Sequence, residues 1–80
     1  MRVNSPTELA VYFQDRRGLS GMSQEKAADL ASVRQATVSA FESRPESAKL
    51  ETLFKLLSAL DLELEVRPKG EADGSAELDW

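Results

Sequence analysis

The stretch SQEKAADLASVRQATVSAFE, from Ser23 to Glu42, constrains this chain more than any other. Ser23 has the side chain of a helix N-cap and is followed by the helix formers Gln24, Glu25, Lys26, Ala27 and Ala28. Ala27, Leu30 and Ala31 recur at helical spacing and give this helix an apolar side. Ser32 interrupts the pattern, Val33 supplies an apolar plug, and a second helix is predicted from about Arg34 to Glu42. At about 100° per residue, Val38 and Phe41 fall on one side of it, with Thr37 at the border. Gln35, Ala36, Ser39 and Ala40 project from the other. A solvent-facing helix ordinarily carries Lys and Glu there. An amide, a hydroxyl and methyl groups instead make a face that can slide into a groove and hydrogen-bond to its floor. Two helices joined by so short a turn must come close, and Ala28 is small where they do.

Upstream, Ser5 can cap a helix, Pro6 suits its first position, and Glu8 stands where a capping box needs it. Leu9, Tyr12, Phe13 and Arg16 are expected on one face, and the helix should fail by Gly18. Arg17 can reach Glu42 as an ion pair; the alternative is a solvated guanidinium. Gly18-Leu19-Ser20-Gly21-Met22 reads as a turn with apolar anchors. Downstream, Arg44-Pro45 breaks the third helix, because a residue before proline is pushed out of the helical region. Leu50, Leu53, Phe54, Leu56, Leu57 and Leu60 then mark a fourth helix, over an arc of roughly 160° on the helical wheel. That stripe is expected to be core, with any overflow serving a dimer contact.

After Leu60 the period changes. Asp61-Leu62-Glu63-Leu64-Glu65-Val66-Arg67 alternates polar and apolar residues, which is strand spacing, and Pro68 and Gly70 end it. A lone strand in a small helical protein has no partner in its own chain, yet its backbone groups must pair somewhere. The same strand from a second copy, antiparallel across a two-fold axis, is the expected solution, with Leu62, Leu64 and Val66 in the interface. The alternative is an extended tail. Residues 69–80 are polar, acidic and rich in small residues, a composition expected to be disordered. They end in Trp80, the only tryptophan. It is either inert, folded back, or an anchor for a partner's pocket, since tryptophan is enriched among binding hot spots. The expected division is therefore 1–60 as a helical domain, 61–68 as a dimerising strand and 69–80 as the tail.

Composition narrows the chemistry. There is no Cys and no His, which removes disulfides, thiolate metal sites and the commonest general base. No cofactor or metal is expected, and no nucleophile has a nearby base, so an enzyme is not expected. The N-terminus has no apolar run fit for a signal peptide and no segment is long enough to span a bilayer, so a cytoplasmic protein is expected. The net charge of −4 is uneven. Residues 1–60 carry eight basic against seven acidic side chains, whereas residues 61–80 carry two against seven. The front domain is nearly neutral and can bind nucleic acid if its few bases are grouped.

Binding to DNA is the reading that best uses the bare helix. Recognition helices touch base edges from their N-terminal turn, where Arg34, Gln35 and Ala36 stand. Gln35 can pair bidentately with adenine, Arg34 with guanine or a phosphate, and Ala36 can meet a thymine methyl. Ser39 can reach a base or backbone oxygen, and Ser23 begins a helix whose open N–H groups favour a phosphate. An ordinary helical bundle with small residues in its hairpin is the competing reading.

The same stretch resembles the helix-turn-helix of the phage-repressor-like (Cro/C1, or XRE) family. Gln24, Ala28, an aliphatic at Val33, Thr37 and Glu42 match its pattern, while Ser32 stands where that family usually has Gly. Within it the chain is similar to the HipB-type antitoxins through SPTELA, RQATVSAFESRP, LETLFKLLSALDLEL and the acidic-Leu-acidic-Trp ending. The resemblance implies a mainly α, four- to five-helix lambda-repressor-like domain and a homodimer joined by its C-terminal strands. It also implies repression of a toxin–antitoxin operon and a tail that docks on a HipA-type serine/threonine kinase toxin. DNA contacts would come from Ser23, Gln24, Arg34, Gln35, Ala36, Thr37 and Ser39, and Trp80 would enter the kinase. A stand-alone phage-type repressor, and an interaction module that binds no DNA, stay open beside it.

Overall fold

The computed structural model describes residues 2–70. Four α-helices follow one another: α1 (Pro6–Leu19), α2 (Gln24–Ala31), α3 (Gln35–Ser43) and α4 (Leu50–Ala59), with a short 3-10 turn at Pro45–Ser47. The α1 start is built as the sequence predicts. Ser5 Oγ accepts from the Glu8 backbone N–H at 3.1 Å, and Pro6 takes the first turn. The Glu8 carboxylate returns the bond one residue early, to the Asn4 N–H at 2.6 Å.

Three helices end in the same way. At each, one residue takes a left-handed conformation: Gly21 after α1, Ser32 after α2 and Asp61 after α4. The following N–H then reaches back five residues, from Met22 to the Arg17 carbonyl, Val33 to Ala28 and Leu62 to Leu57. This pairing satisfies carbonyls that a helix end otherwise orphans, and it seats an apolar residue just past the cap. Val33 is that residue for α2, and it packs against the core. The expectation that α1 fails by Gly18 is corrected: Gly18 stays helical and the chain turns at Gly21. One glycine costs a helix only about 1 kcal/mol, which the continuing hydrogen bonds outweigh.

The core is small and built from short side chains around two rings. Ala10 and Phe13 of α1, Ala28 and Ala31 of α2, Val38 and Phe41 of α3 and Leu56 of α4 form one cluster. Phe13 and Phe41 meet edge to face with centroids 5.3 Å apart, a geometry that places a ring edge on the partner's π-face. Ala27 and Ala28 are both buried, which lets α2 lie close to its neighbours. Two face assignments are corrected here. Leu30 is not on the inner side of α2 but half-exposed, and Arg16 lies in solvent while Arg17 turns inward.

The α4 stripe divides. Leu56 and Leu57 are buried, whereas Leu50 is 71% exposed and Phe54 52% exposed. With Leu30 of α2, Phe54 edges a shallow groove completed by Ala31, Glu51, Lys55 and Ser58. Beyond α4 the described residues contain no strand: 62–68 carry no ladder, and Leu64 and Val66 lie exposed. A ladder needs a second strand, and one copy does not contain it. The acidic tail 71–80, with Trp80, lies outside the described residues.

Candidate nucleic-acid interface

The geometry of α3 follows from how its two sides are used. Val38 and Phe41 are buried, Thr37 is half-buried at the border, and Gln35, Ala36, Ser39 and Ala40 are exposed. Arg34 caps the helix through its backbone, its carbonyl accepting from Thr37 and Val38, while its exposed side chain makes no hydrogen bond among the described residues. The backbone N–H groups of Gln35 and Ala36 likewise have no acceptor among the described residues. The helix therefore presents open donors and the positive end of its dipole beside an unengaged guanidinium and amide.

The only carboxylate of α3, Glu42, is removed from that face. Its side chain is 5% exposed and takes Arg17 Nε at 2.7 Å on one oxygen and Arg17 Nη2 at 3.0 Å on the other. Gln24 Nε2 adds a third donor at 2.9 Å, and Arg17 Nη1 bonds the Met22 carbonyl at 2.9 Å. The hydrogen bonds that Arg17 donates to the Glu42 carboxylate raise the guanidinium pKa above its ordinary value, with partial burial opposing them. The consequence for the outer face is direct. Nothing on it repels a phosphate, and Arg34 and Arg44 stand exposed at its two ends.

Ser23 and Gln24 begin α2. Ser23 Oγ accepts from the Lys26 N–H at 3.0 Å, and the N–H groups of Gln24 and Glu25 have no acceptor among the described residues. Gln24 commits one amide hydrogen to Glu42, so it ties the start of α2 to the end of α3. That bond was not legible in the sequence, where Gln24 stood as a helix former, a matched family position and an expected DNA contact. The open N-termini of α2, at Gln24, and α3, at Gln35, are the parts of this molecule suited to oxyanions.

Ser43 also belongs to the picture and was missed. Its Oγ donates to the Ser39 carbonyl at 3.0 Å, turning a second hydroxyl onto the bare helix. No group of His, Cys, Asp or Glu among the described residues is arranged to hold a metal ion. No helix among them is long and apolar enough to cross a membrane.

Comparison with known proteins places this geometry. The family model described as Helix-turn-helix (HTH_3) matches residues 13–66. Antitoxin HipB of Escherichia coli O6:H1 (strain CFT073) is 32% identical over 83 residues, covering 99% of this chain and 88% of that protein. Antitoxin HipB of Escherichia coli K12 is 36% identical over 63 residues, covering 79% of this chain and 72% of that protein. Among solved structures, a chain of a HipA-HipB-O2-O3 complex superposes with a TM-score of 0.83 at 33% identity, covering 86% of this chain and 97% of that chain. A chain of a HipB-O4 20mer complex matches with the same score and identity.

Proposed function

The chain belongs to the HipB-like antitoxins, DNA-binding and non-enzymatic members of the helix-turn-helix (XRE) family, and on that footing we propose how it works. It binds operator DNA as a homodimer, represses the operon that encodes it, and neutralises a HipA-type serine/threonine kinase toxin. Residues 1–60 read DNA, 61–68 join two copies and 69–80 engage the toxin.

One observation carries the DNA reading: the outer face of α3 is exposed, free of carboxylate and uncommitted to the fold. On this reading α3 enters the major groove from its N-terminal turn. Gln35 and Arg34 read base edges, Ala36 meets a thymine methyl, and Thr37 and Ser39 contact base or backbone. Ser23 and Gln24, with the open N–H groups of α2, hold a phosphate and set the docking angle. The relatives' complexes support both partners, since HipB stands with 20mers in one and with HipA in another.

Two copies related by a two-fold axis would read a palindrome whose half-sites lie about one helical turn, roughly 34 Å, apart. The test is a binding titration of the full chain on its own promoter region and on a scrambled duplex at physiological salt. Tighter binding to the promoter is expected, and equal binding to both refutes the repressor reading. Removing Trp80 is expected to weaken capture of the HipA-type kinase while promoter binding by the free protein is unchanged. Unaltered capture would take the tail out of the mechanism.

A further inference from the structure

We propose that the acidic segment 71–79 of this chain docks on the outer face of α3 while DNA is absent, so that DNA must displace it in order to bind. This rests on the DNA reading above and gives the same face a second, internal occupant.

The outer face of α3 differs in charge from every other helix surface of the molecule. Carboxylates stand exposed on the others: Glu8 and Asp15 on α1, Glu25 and Asp29 on α2, and Glu51 on α4. The one acid of α3, Glu42, is 5% exposed and spent on Arg17. Ion pairs among the described residues engage Arg17, Lys55 and Arg67. Arg34 and Arg44, exposed at the two ends of α3, make none among them. A mobile anion is therefore repelled by α1, α2 and α4 and drawn to α3.

The segment matches that face in charge, spacing and bulk. Glu71, Asp73, Glu77 and Asp79 give it four negative charges and no positive one. Arg34 and Arg44 flank a helix at positions ten residues apart, about 15 Å at 1.5 Å per residue. Asp73 and Glu77 lie about 13 Å apart when the chain between them is extended. One acid can thus meet each arginine, while Gly74, Ser75 and Ala76 pass over Ala36, Ser39 and Ala40. Reach is sufficient. Nine residues beyond Gly70 span up to about 30 Å, more than the two shorter dimensions of the molecule, 25 and 18 Å.

Exposed ion pairs are individually weak and screened by salt, so the segment competes with DNA without locking it out. Its tether offsets the weakness, because a short linker holds the segment near its seat at an effective concentration of the order of millimolar.

The chain has no cysteine, so Ser75→Cys can carry a single nitroxide label on the full chain. Without DNA and at low salt, the label is expected to broaden the backbone amide signals of Gln35, Ala36 and Ser39. In about 1 M salt, where the screening length falls to about 3 Å, those signals are expected to recover. Broadening centred on α1 or α4, or on no helix, overturns the docking; broadening of α3 that survives high salt overturns its electrostatic origin. No DNA takes part, so this result is independent of the repressor reading. In a second measurement, all four acids are neutralised as Glu71→Gln, Asp73→Asn, Glu77→Gln and Asp79→Asn. The variant is expected to bind the promoter and a scrambled duplex about three- to tenfold more tightly at low salt. The factor is expected to be similar for both, because the segment must leave before either duplex enters, and to shrink as salt rises. Unchanged affinity overturns the competition. A gain without broadening of α3 marks long-range repulsion of DNA and overturns the contact. Equal wild-type affinity for the two duplexes defeats the repressor reading alone.

Discussion

Arg17 of α1 grips both carboxylate oxygens of Glu42, at 2.7 and 3.0 Å, across 25 residues of sequence. Its third nitrogen holds the Met22 carbonyl, and Gln24 bonds the same Glu42. One acid thereby fixes the end of α3 relative to α1 and to the start of α2. The Gln24–Glu42 bond thus ties the two helices of the hairpin together, while the Arg17–Glu42 pair and the Phe13–Phe41 packing fix α3 against α1.

Replacing Glu42 by Ala is expected to destabilise the domain by about 3 kcal/mol, because Arg17 is left largely buried without its counter-charge. Replacing both, as Arg17→Met with Glu42→Leu, is expected to recover much of that loss. Urea titrations of the two variants and the wild type check it; a double variant as unstable as Glu42→Ala counts against the unpaired charge as the cause.

Ser32 occupies a left-handed turn at φ 61. A residue with a Cβ pays a penalty there that glycine does not, so Ser32→Gly is expected to raise stability by about 0.5–1 kcal/mol. Thermal unfolding reads this, and a lowered melting temperature contradicts the strain argument.

Gln35 is exposed and serves nothing in the fold. Gln35→Ala is expected to leave unfolding unchanged and to cost about 1–3 kcal/mol on the promoter site, with specificity relaxed at one base pair. Loss spread evenly over all sequences would instead mark Gln35 as a phosphate contact.

Leu50 and Phe54 stand one helical turn apart on α4, both more than half exposed. Leu50→Lys and Phe54→Lys are expected to shift unfolding by no more than about 0.5 kcal/mol, since neither fills the core. They are expected to weaken association, either of two copies or with the kinase. Sedimentation and kinase capture distinguish these, and wild-type behaviour in both shows the patch to be idle.

Much of this was legible in the sequence, and the reason is local. Ser5, Pro6, Glu8, Ser23 and Pro45 act on their own neighbours, so caps and breaks could be read one turn at a time. The bare outer face of α3 followed from periodicity alone. What escaped depended on the third dimension. Leu30 and Ala28 look alike in a helical pattern, yet the close approach of the helices buries the smaller and leaves the larger outside. Gly18 looked like a stop because a glycine does not say which of two will turn. Gln24 could not be assigned a bond to Glu42 until the helices carrying them were packed together. The segment after α4 showed its period but not its partner, which no single copy contains.

The outer face of α3 holds none of the fold together, and that has an evolutionary consequence. Arg34, Gln35, Ala36 and Ser39 can be exchanged while the Arg17–Glu42 clasp and the aromatic pair keep the scaffold standing. A descendant copy of this gene could acquire a new address on the chromosome by a few substitutions, without first solving the folding problem again. Divergence of such regulators after duplication, and their insulation from one another's promoters, would then be limited by selection on the address and not by stability.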